Sequence, residues 1–175
     1  MGRSTPIPNT YWLVDGIFLA GEYPGSANDE VARDKLLKFL DAGIRTFINL
    51  TEEGEPLADY SGLLRTLAEE RGIEAKHVRH SVKDLGVPRE RELMKRILAT
   101  IREEIAVGRP VYIHCWGGIG RTGTAIGCWL VEEGLAGEAA IEKIAELRAG
   151  TPERWRRSPE TDEQCRYIRE WLQAQ

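Results

Sequence analysis

The chain has 175 residues, 42% hydrophobic and 30% charged, with a net charge of −4. That length can bury a core without metals or disulfides, and the composition fits one globular domain over 1–175 with a Pro-containing N-terminal arm at 1–10. The acidic balance leaves no basic footprint for nucleic acid, and no apolar run approaches membrane-spanning length.

Met1 to Pro8 lacks an apolar signal segment. The three cysteines cannot all pair. A monomer in a reducing, cytoplasmic setting, without membrane or nucleic-acid partners, is the expectation.

Trp12 to Val14, Asp15-Gly16, then Ile17 to Ala20 reads as a β-hairpin with an Asp-Gly turn. Asn28-Asp29 can cap a helix that reaches Ala42 and stops at Gly43. Ile44 to Leu50 is a strand, and Glu52 to Asp59 a polar loop. Ser61 to Arg71 is a helix with Leu63, Leu64, Leu67 and Ala68 on one face, stopped by Gly72. Glu74 to His80 alternates as a strand. Pro88 opens a long helix with Leu93, Ile97, Ile101 and Ile105 at helical spacing, ended by Gly108.

Val111-Tyr112-Ile113 is a short buried strand, and Thr122 to about Gly134 a buried helix. Two further helices follow, over Gly137 to Ala149 and Pro159 to Gln173. Strands alternating with helices predict an α/β fold with a mostly parallel central sheet covered on both faces.

Between that short strand and the buried helix lies His114-Cys115-Trp116-Gly117-Gly118-Ile119-Gly120-Arg121-Thr122-Gly123. A loop at a helix N-terminus can aim its N–H groups at an anion, helped by the helix dipole. Gly117, Gly118 and Gly120 supply the positive φ angles that a curled loop needs. Trp116 to Gly120 would line the phosphate, and Arg121 can grip two of its oxygens with a planar fork. The same positive field favours Cys115 as a thiolate nucleophile. Thr122 can donate a hydrogen bond to the Cys115 sulfur, and His114 orders the loop from behind.

The sequence His-Cys, five residues, Arg, Thr resembles the signature of the cysteine-dependent protein tyrosine and dual-specificity phosphatases, nearest their small dual-specificity branch. The resemblance implies a phosphatase-type fold whose nucleophile loop leaves the carboxyl end of a central strand. It implies hydrolysis of phosphate monoesters, phosphotyrosine with phosphoserine and phosphothreonine, through a phosphocysteine. The implied partner is a phosphorylated protein or peptide, and no metal or cofactor is required. Other readings share parts of the motif. Gly118 to Gly123 formally matches G-x-G-x-x-G, but a dinucleotide site needs an acidic strand end roughly 20 residues on, where Ile141 to Leu147 reads as helix. Rhodanese-like and arsenate-reducing enzymes share the Cys-to-Arg spacing, and a silent phosphate-binding module would keep the loop without the chemistry.

Phosphoryl transfer also needs an acid for the leaving oxygen. The family supplies an aspartate from an upstream loop, and the best match is Asp84 in Ser81 to Pro88, although the Trp-Pro-Asp form is missing. Asp59, Glu52, Glu53 and Glu55 compete for that role. Near the C-terminus, Ser158 or Thr161 can cap the last helix. By resemblance, Glu160 orients Arg121 or the loop, and Gln164 positions the hydrolytic water. Arg154, Arg156 and Arg157 form a basic cluster suited to an acidic phosphoprotein segment or to plain solvation. His77 and His80 point to opposite strand faces and cannot easily share a metal. Cys128, two helical turns after the loop, and Cys165, on the apolar stripe with Ile168 and Leu172, read as core. Residues 116–120 hold no lysine, and phosphoinositide phosphatases often carry lysines there, so a highly phosphorylated inositol is disfavoured.

Overall fold

The computed structural model describes residues 2–173. In chain order the elements are β1 (Thr10–Val14), β2 (Phe18–Gly21), α1 (Asp29–Asp41), β3 (Thr46–Asn49), α2 (Ser61–Glu70), β4 (Lys76–Arg79), α3 (Arg91–Ala106), β5 (Val111–His114), α4 (Arg121–Glu132), α5 (Gly137–Leu147) and α6 (Asp162–Arg169). The strands form one five-stranded sheet in the order β1-β2-β5-β3-β4. Its β1–β2 hairpin is antiparallel and every other pairing is parallel, as the alternation of strands and helices predicts.

Strand periodicity sorts the core into two halves. Successive side chains leave a strand on opposite faces. On one face Phe18, Ala20, Ile48, Val111 and Ile113 pack with Met94, Ile97, Ile126, Ile144 and Ile168, which come from α3 to α6. On the other, Leu19, Phe47 and Tyr112 pack with Leu36, Phe39, Leu64 and Leu67, from α1 and α2. The central strand β5 is fully buried, so it reads as a continuous apolar run rather than an alternating one.

Several boundaries differ from the sequence reading. Pro88 does not open α3. Glu90 stays extended at φ −121° and ψ 138°, and the helix begins at Arg91. The last helix starts at Asp162, not Pro159, because Thr161 and Gln164 form a reciprocal capping box that fixes its first turn. It ends at Arg169, short of Gln173, and α5 ends at Leu147 rather than Ala149. Ile7, in the expected N-terminal arm, is buried in the α1–α2 half of the core.

Candidate active site

Cys115 follows the last residue of β5 and keeps the parity of Val111 and Ile113, so it faces the α3–α6 half. His114 has the parity of Tyr112 and stacks on that ring, with centroids 5.5 Å apart. Cys115 is 3% exposed and lines a cavity of about 250 Å³ with Asp84, Leu85, Trp116, Gly117, Ile119, Arg121, Arg156 and Glu160.

Several carbonyls of the loop from Cys115 to Gly120 are bonded to neighbouring elements. Trp116 O accepts from Tyr23 N–H at 2.8 Å. Ile119 O accepts from the Ser158 hydroxyl at 2.6 Å, and Gly120 O from the Thr124 amide and hydroxyl at 2.9 and 2.8 Å. Among the described residues, the backbone bonds outside helices and strands use none of the N–H groups of Trp116 to Gly120. A run of N–H groups without backbone partners at a helix N-terminus is a geometry suited to an anion.

The three loop glycines have different reasons. Gly118 alone among them has a positive φ, at 72°, and a Cβ there would meet the Gly21 backbone at 2.2 Å. Gly120 sits at φ −81°; it is small because a Cβ would lie 3.0 Å from Gln164 Nε2. A Cβ on Gly117 would meet Ile119 at an ordinary 3.6 Å. The positive φ angles expected at Gly117 and Gly120 are therefore not found, since one reversal at Gly118 suffices to curl the loop. Gly123 is needed for a different approach: a Cβ would fall 2.3 Å from the Ser158 hydroxyl.

Arg121 is buried at the first position of α4. Its Nη1 donates to Glu55 Oε1 at 2.5 Å and to Val82 O at 3.0 Å, and its Nη2 donates to Glu55 Oε2 at 3.1 Å. Asp84 Oδ1 lies 3.2 Å from Nη2. Arg121 Nε is buried without a partner. Glu55, considered from sequence as a competing acid, is instead the anchor of the arginine fork. Burial raises its carboxyl, but the bond and charge of Arg121, with the Glu52 amide and the charge of Arg79, together hold it below the ordinary range. Glu52, Glu53 and Asp59 line a neighbouring cavity with Tyr23, Thr51 and Arg79. Asp59 is occupied there, accepting from the Ser61 amide and hydroxyl at 2.9 and 3.0 Å. Of the sequence candidates for the acid, Asp84 shares the cavity of Cys115.

His114 is fully buried behind the loop. Its Nδ1 lies 3.0 Å from Cys115 O, and its Nε2 lies 2.6 Å from the Tyr60 hydroxyl. A carbonyl can only accept, so Nδ1 carries the hydrogen and Nε2 accepts from Tyr60. Burial pushes the imidazole down to about 3, against the opposing pull of its bond to the Cys115 carbonyl. The ring is therefore a neutral group bonded to one loop carbonyl. Tyr60 was not found from sequence, because its partner is 54 residues away and nothing local marks it.

Three expected contacts are not made. Glu160 does not reach Arg121; it accepts from Arg156 Nη2 at 2.7 Å, and Glu55 already fills the place it was given. Thr122 Oγ1 is buried without a hydrogen-bond partner, so the bond to the Cys115 sulfur is not formed. Gln164 does not line the cavity. Its Oε1 accepts from the Glu160 and Thr161 amides at 3.0 and 3.1 Å, and its Nε2 donates to Gly86 O at 3.0 Å. Capping and this tie occupy an amide expected to hold water. Of the two helix-cap candidates, Thr161 caps α6 and Ser158 bonds the phosphate loop. Cys128 and Cys165 are free and buried, as expected for core. His77 pairs with Asn49 and His80 with Thr100, at 3.2 and 3.0 Å.

A family model described as the phosphatase domain of Swiss Army Knife DSP-PTPase proteins matches residues 8–169. The rat protein named phosphatidylglycerophosphatase and protein-tyrosine phosphatase 1 is 30% identical over 112 residues, covering 63% of this chain and 55% of its own length. The match thus spans about half of that relative. Among solved structures, Tk-PTP in its active form is 26% identical with a TM-score of 0.68, covering 95% of this chain and 97% of that one. Kinase-associated phosphatase bearing a serine for its catalytic cysteine is 22% identical with a TM-score of 0.68, covering 90% of this chain and 86% of that one.

Proposed function

The chain belongs to the DSP-PTPase phosphatase family of Swiss Army Knife proteins, and from that premise we propose that it hydrolyses phosphate monoesters with Cys115 as nucleophile and Asp84 as acid. The phosphate sits in the nest of Trp116 to Gly120, with Arg121 Nε as a further donor. Cys115 sulfur attacks phosphorus in line with the leaving oxygen. The P–O bond breaks as Asp84 gives that oxygen its proton, leaving a phosphocysteine and an Asp84 carboxylate. Asp84 then takes a proton from water, whose oxygen attacks phosphorus. The S–P bond breaks and the thiolate returns with inorganic phosphate. The nest and Arg121 stabilise the charge on the transferring group at each step. Thr122, its hydroxyl free of other partners, can donate to the departing sulfur once the thiolate forms.

The observation that carries this reading is the run of amides without backbone partners in a loop whose residues line one cavity with a buried cysteine and an arginine whose Nε has no partner. The substrate class is a phosphorylated protein or peptide, phosphotyrosine first. The rat relative's name adds phosphatidylglycerophosphate to the comparison panel. A reducing, cytoplasmic setting suits three free thiols. No helix among the described residues is long and apolar enough to cross a membrane. The test is turnover of an aryl phosphate, phosphopeptides and phosphatidylglycerophosphate in EDTA. Turnover that needs added metal, or none on any of them, overturns the assignment.

A further inference from the structure

The turn that carries Asp84 is held from a distant part of the chain. Gly86 N–H donates to Lys83 O at 3.0 Å, closing a turn with Leu85 in the left-handed region at φ 61°. A leucine there is strained. Burial does not hold the turn, since Leu85 is exposed and the Asp84 side chain is 54% exposed. On its inner side Arg121 reaches Asp84. On its outer side Gln164 Nε2 donates to Gly86 O at 3.0 Å.

Gln164 is fully buried, and its orientation is fixed. Two backbone amides converge on Oε1, so the NH₂ end must face Gly86. The same NH₂ end would lie 3.0 Å from a Cβ on Gly120. One side chain therefore touches the acid-bearing turn, the last glycine of the phosphate loop and the start of α6. A capping box uses only the acceptor at this position, and glutamate serves it as well as glutamine. Among the described residues, the donor's one hydrogen bond is to Gly86.

We propose that Gln164 is a positioning residue for the leaving-group proton: it latches the Asp84 turn over Cys115. This rests on Asp84 being the acid. Proton transfer needs a heavy-atom separation of about 2.6–3.2 Å, so a turn that swings outward leaves the phosphate loop intact but removes the proton.

Gln164→Glu separates the two roles, because a carboxylate keeps the cap and cannot donate to Gly86. Thr161→Ala is the structural control, weakening the cap while sparing the latch. The experiment measures kcat for aryl phosphates over a range of leaving-group pKa in wild type, Gln164→Glu, Thr161→Ala and Asp84→Asn. Gln164→Glu should lose about 10–100-fold on weakly acidic leaving groups, the cost of a displacement near 1 Å, and little on strongly acidic ones. Its inhibition by inorganic phosphate should change much less than its kcat on weakly acidic leaving groups. Thr161→Ala should lower the melting temperature and keep the wild-type slope. A wild-type slope in Gln164→Glu, or equal steepening by Thr161→Ala, overturns the latch. If Asp84→Asn leaves the slope unchanged, the acid lies elsewhere and the latch falls with it. If Asp84→Asn steepens the slope and Gln164→Glu does not, the latch alone is wrong. In the wild type, NMR should find a Gln164 side-chain amide proton protected from exchange; rapid exchange of both would also overturn the latch.

Discussion

Glu55 holds Arg121 with both carboxylate oxygens, at 2.5 and 3.1 Å, and leaves the buried Nε of that arginine without a partner. The pair takes both terminal nitrogens of the guanidinium. Replacing one partner of a charge-assisted bond removes about 1.5–3 kcal/mol. Glu55→Gln should therefore lower kcat/KM by about 10–150-fold and weaken inhibition by phosphate. The carboxyl is held below its ordinary value of 4.5. A carboxyl lowered on folding stabilises the fold fully above that ordinary value and loses the contribution as pH falls through its lowered one. Wild-type stability should thus fall in acid below about 4.5 along a limb that Glu55→Gln lacks. Unchanged kcat/KM and phosphate inhibition in Glu55→Gln would show that Arg121 is oriented by something else.

His114 offers a test at milder pH. An ordinary imidazole titrates near 6.5, and the buried ring is pushed down to about 3. Between these values the unfolded chain binds the proton and the folded one does not. The His114 contribution is therefore complete above 6.5 and declines as pH falls toward 3, at about 1.4 kcal/mol per unit. Ring-nitrogen NMR should show the Nδ1–H tautomer unchanged while the protein stays folded. A His114 midpoint near 6.5 would contradict it. Tyr60→Phe should destabilise by about 1–3 kcal/mol, because it strands a buried Nε2 acceptor, and thermal unfolding measures this.

Two neighbouring glycines should behave differently. Gly118→Ala puts a Cβ at positive φ and against the Gly21 backbone. Left-handed backbone costs about 1–2 kcal/mol before any clash, so the variant should melt lower and lose phosphate inhibition. Gly117→Ala meets only an ordinary contact with Ile119, and should keep both. Equal loss in the two variants would mean that the loop demands glycine for some reason other than φ and the approach to Gly21.

Much of this was legible in the chain. The hairpin, the parallel strands, Asn28 as the α1 cap and the place of the Cys115–Gly120 loop between β5 and α4 all rest on local signals: an Asp-Gly turn, apolar runs, a cap residue, a motif between strand and helix. Asp84 is a candidate only through the family resemblance, which gives a place to look after β4, and it lines the cavity of Cys115. The partners were not legible. Glu55 meets Arg121 across 66 residues and Tyr60 meets His114 across 54, and no periodicity links such positions. The family resemblance gives Glu160 to Arg121 or the loop, yet Arg156 sits four residues from it and takes the carboxylate. The start of α6 was misread at Pro159 because a proline suits a first turn, whereas the Thr161–Gln164 capping box sets the boundary.

The most direct measurement is turnover by Cys115→Ser, with oxyanion binding measured on the same sample. A hydroxyl in place of the thiol removes the nucleophile and leaves the amide nest and Arg121 intact. Turnover of aryl phosphates should vanish, while phosphate and vanadate still bind, since the groups that hold them do not involve the sulfur. Residual turnover within about tenfold of wild type would mean that Cys115 is not the nucleophile.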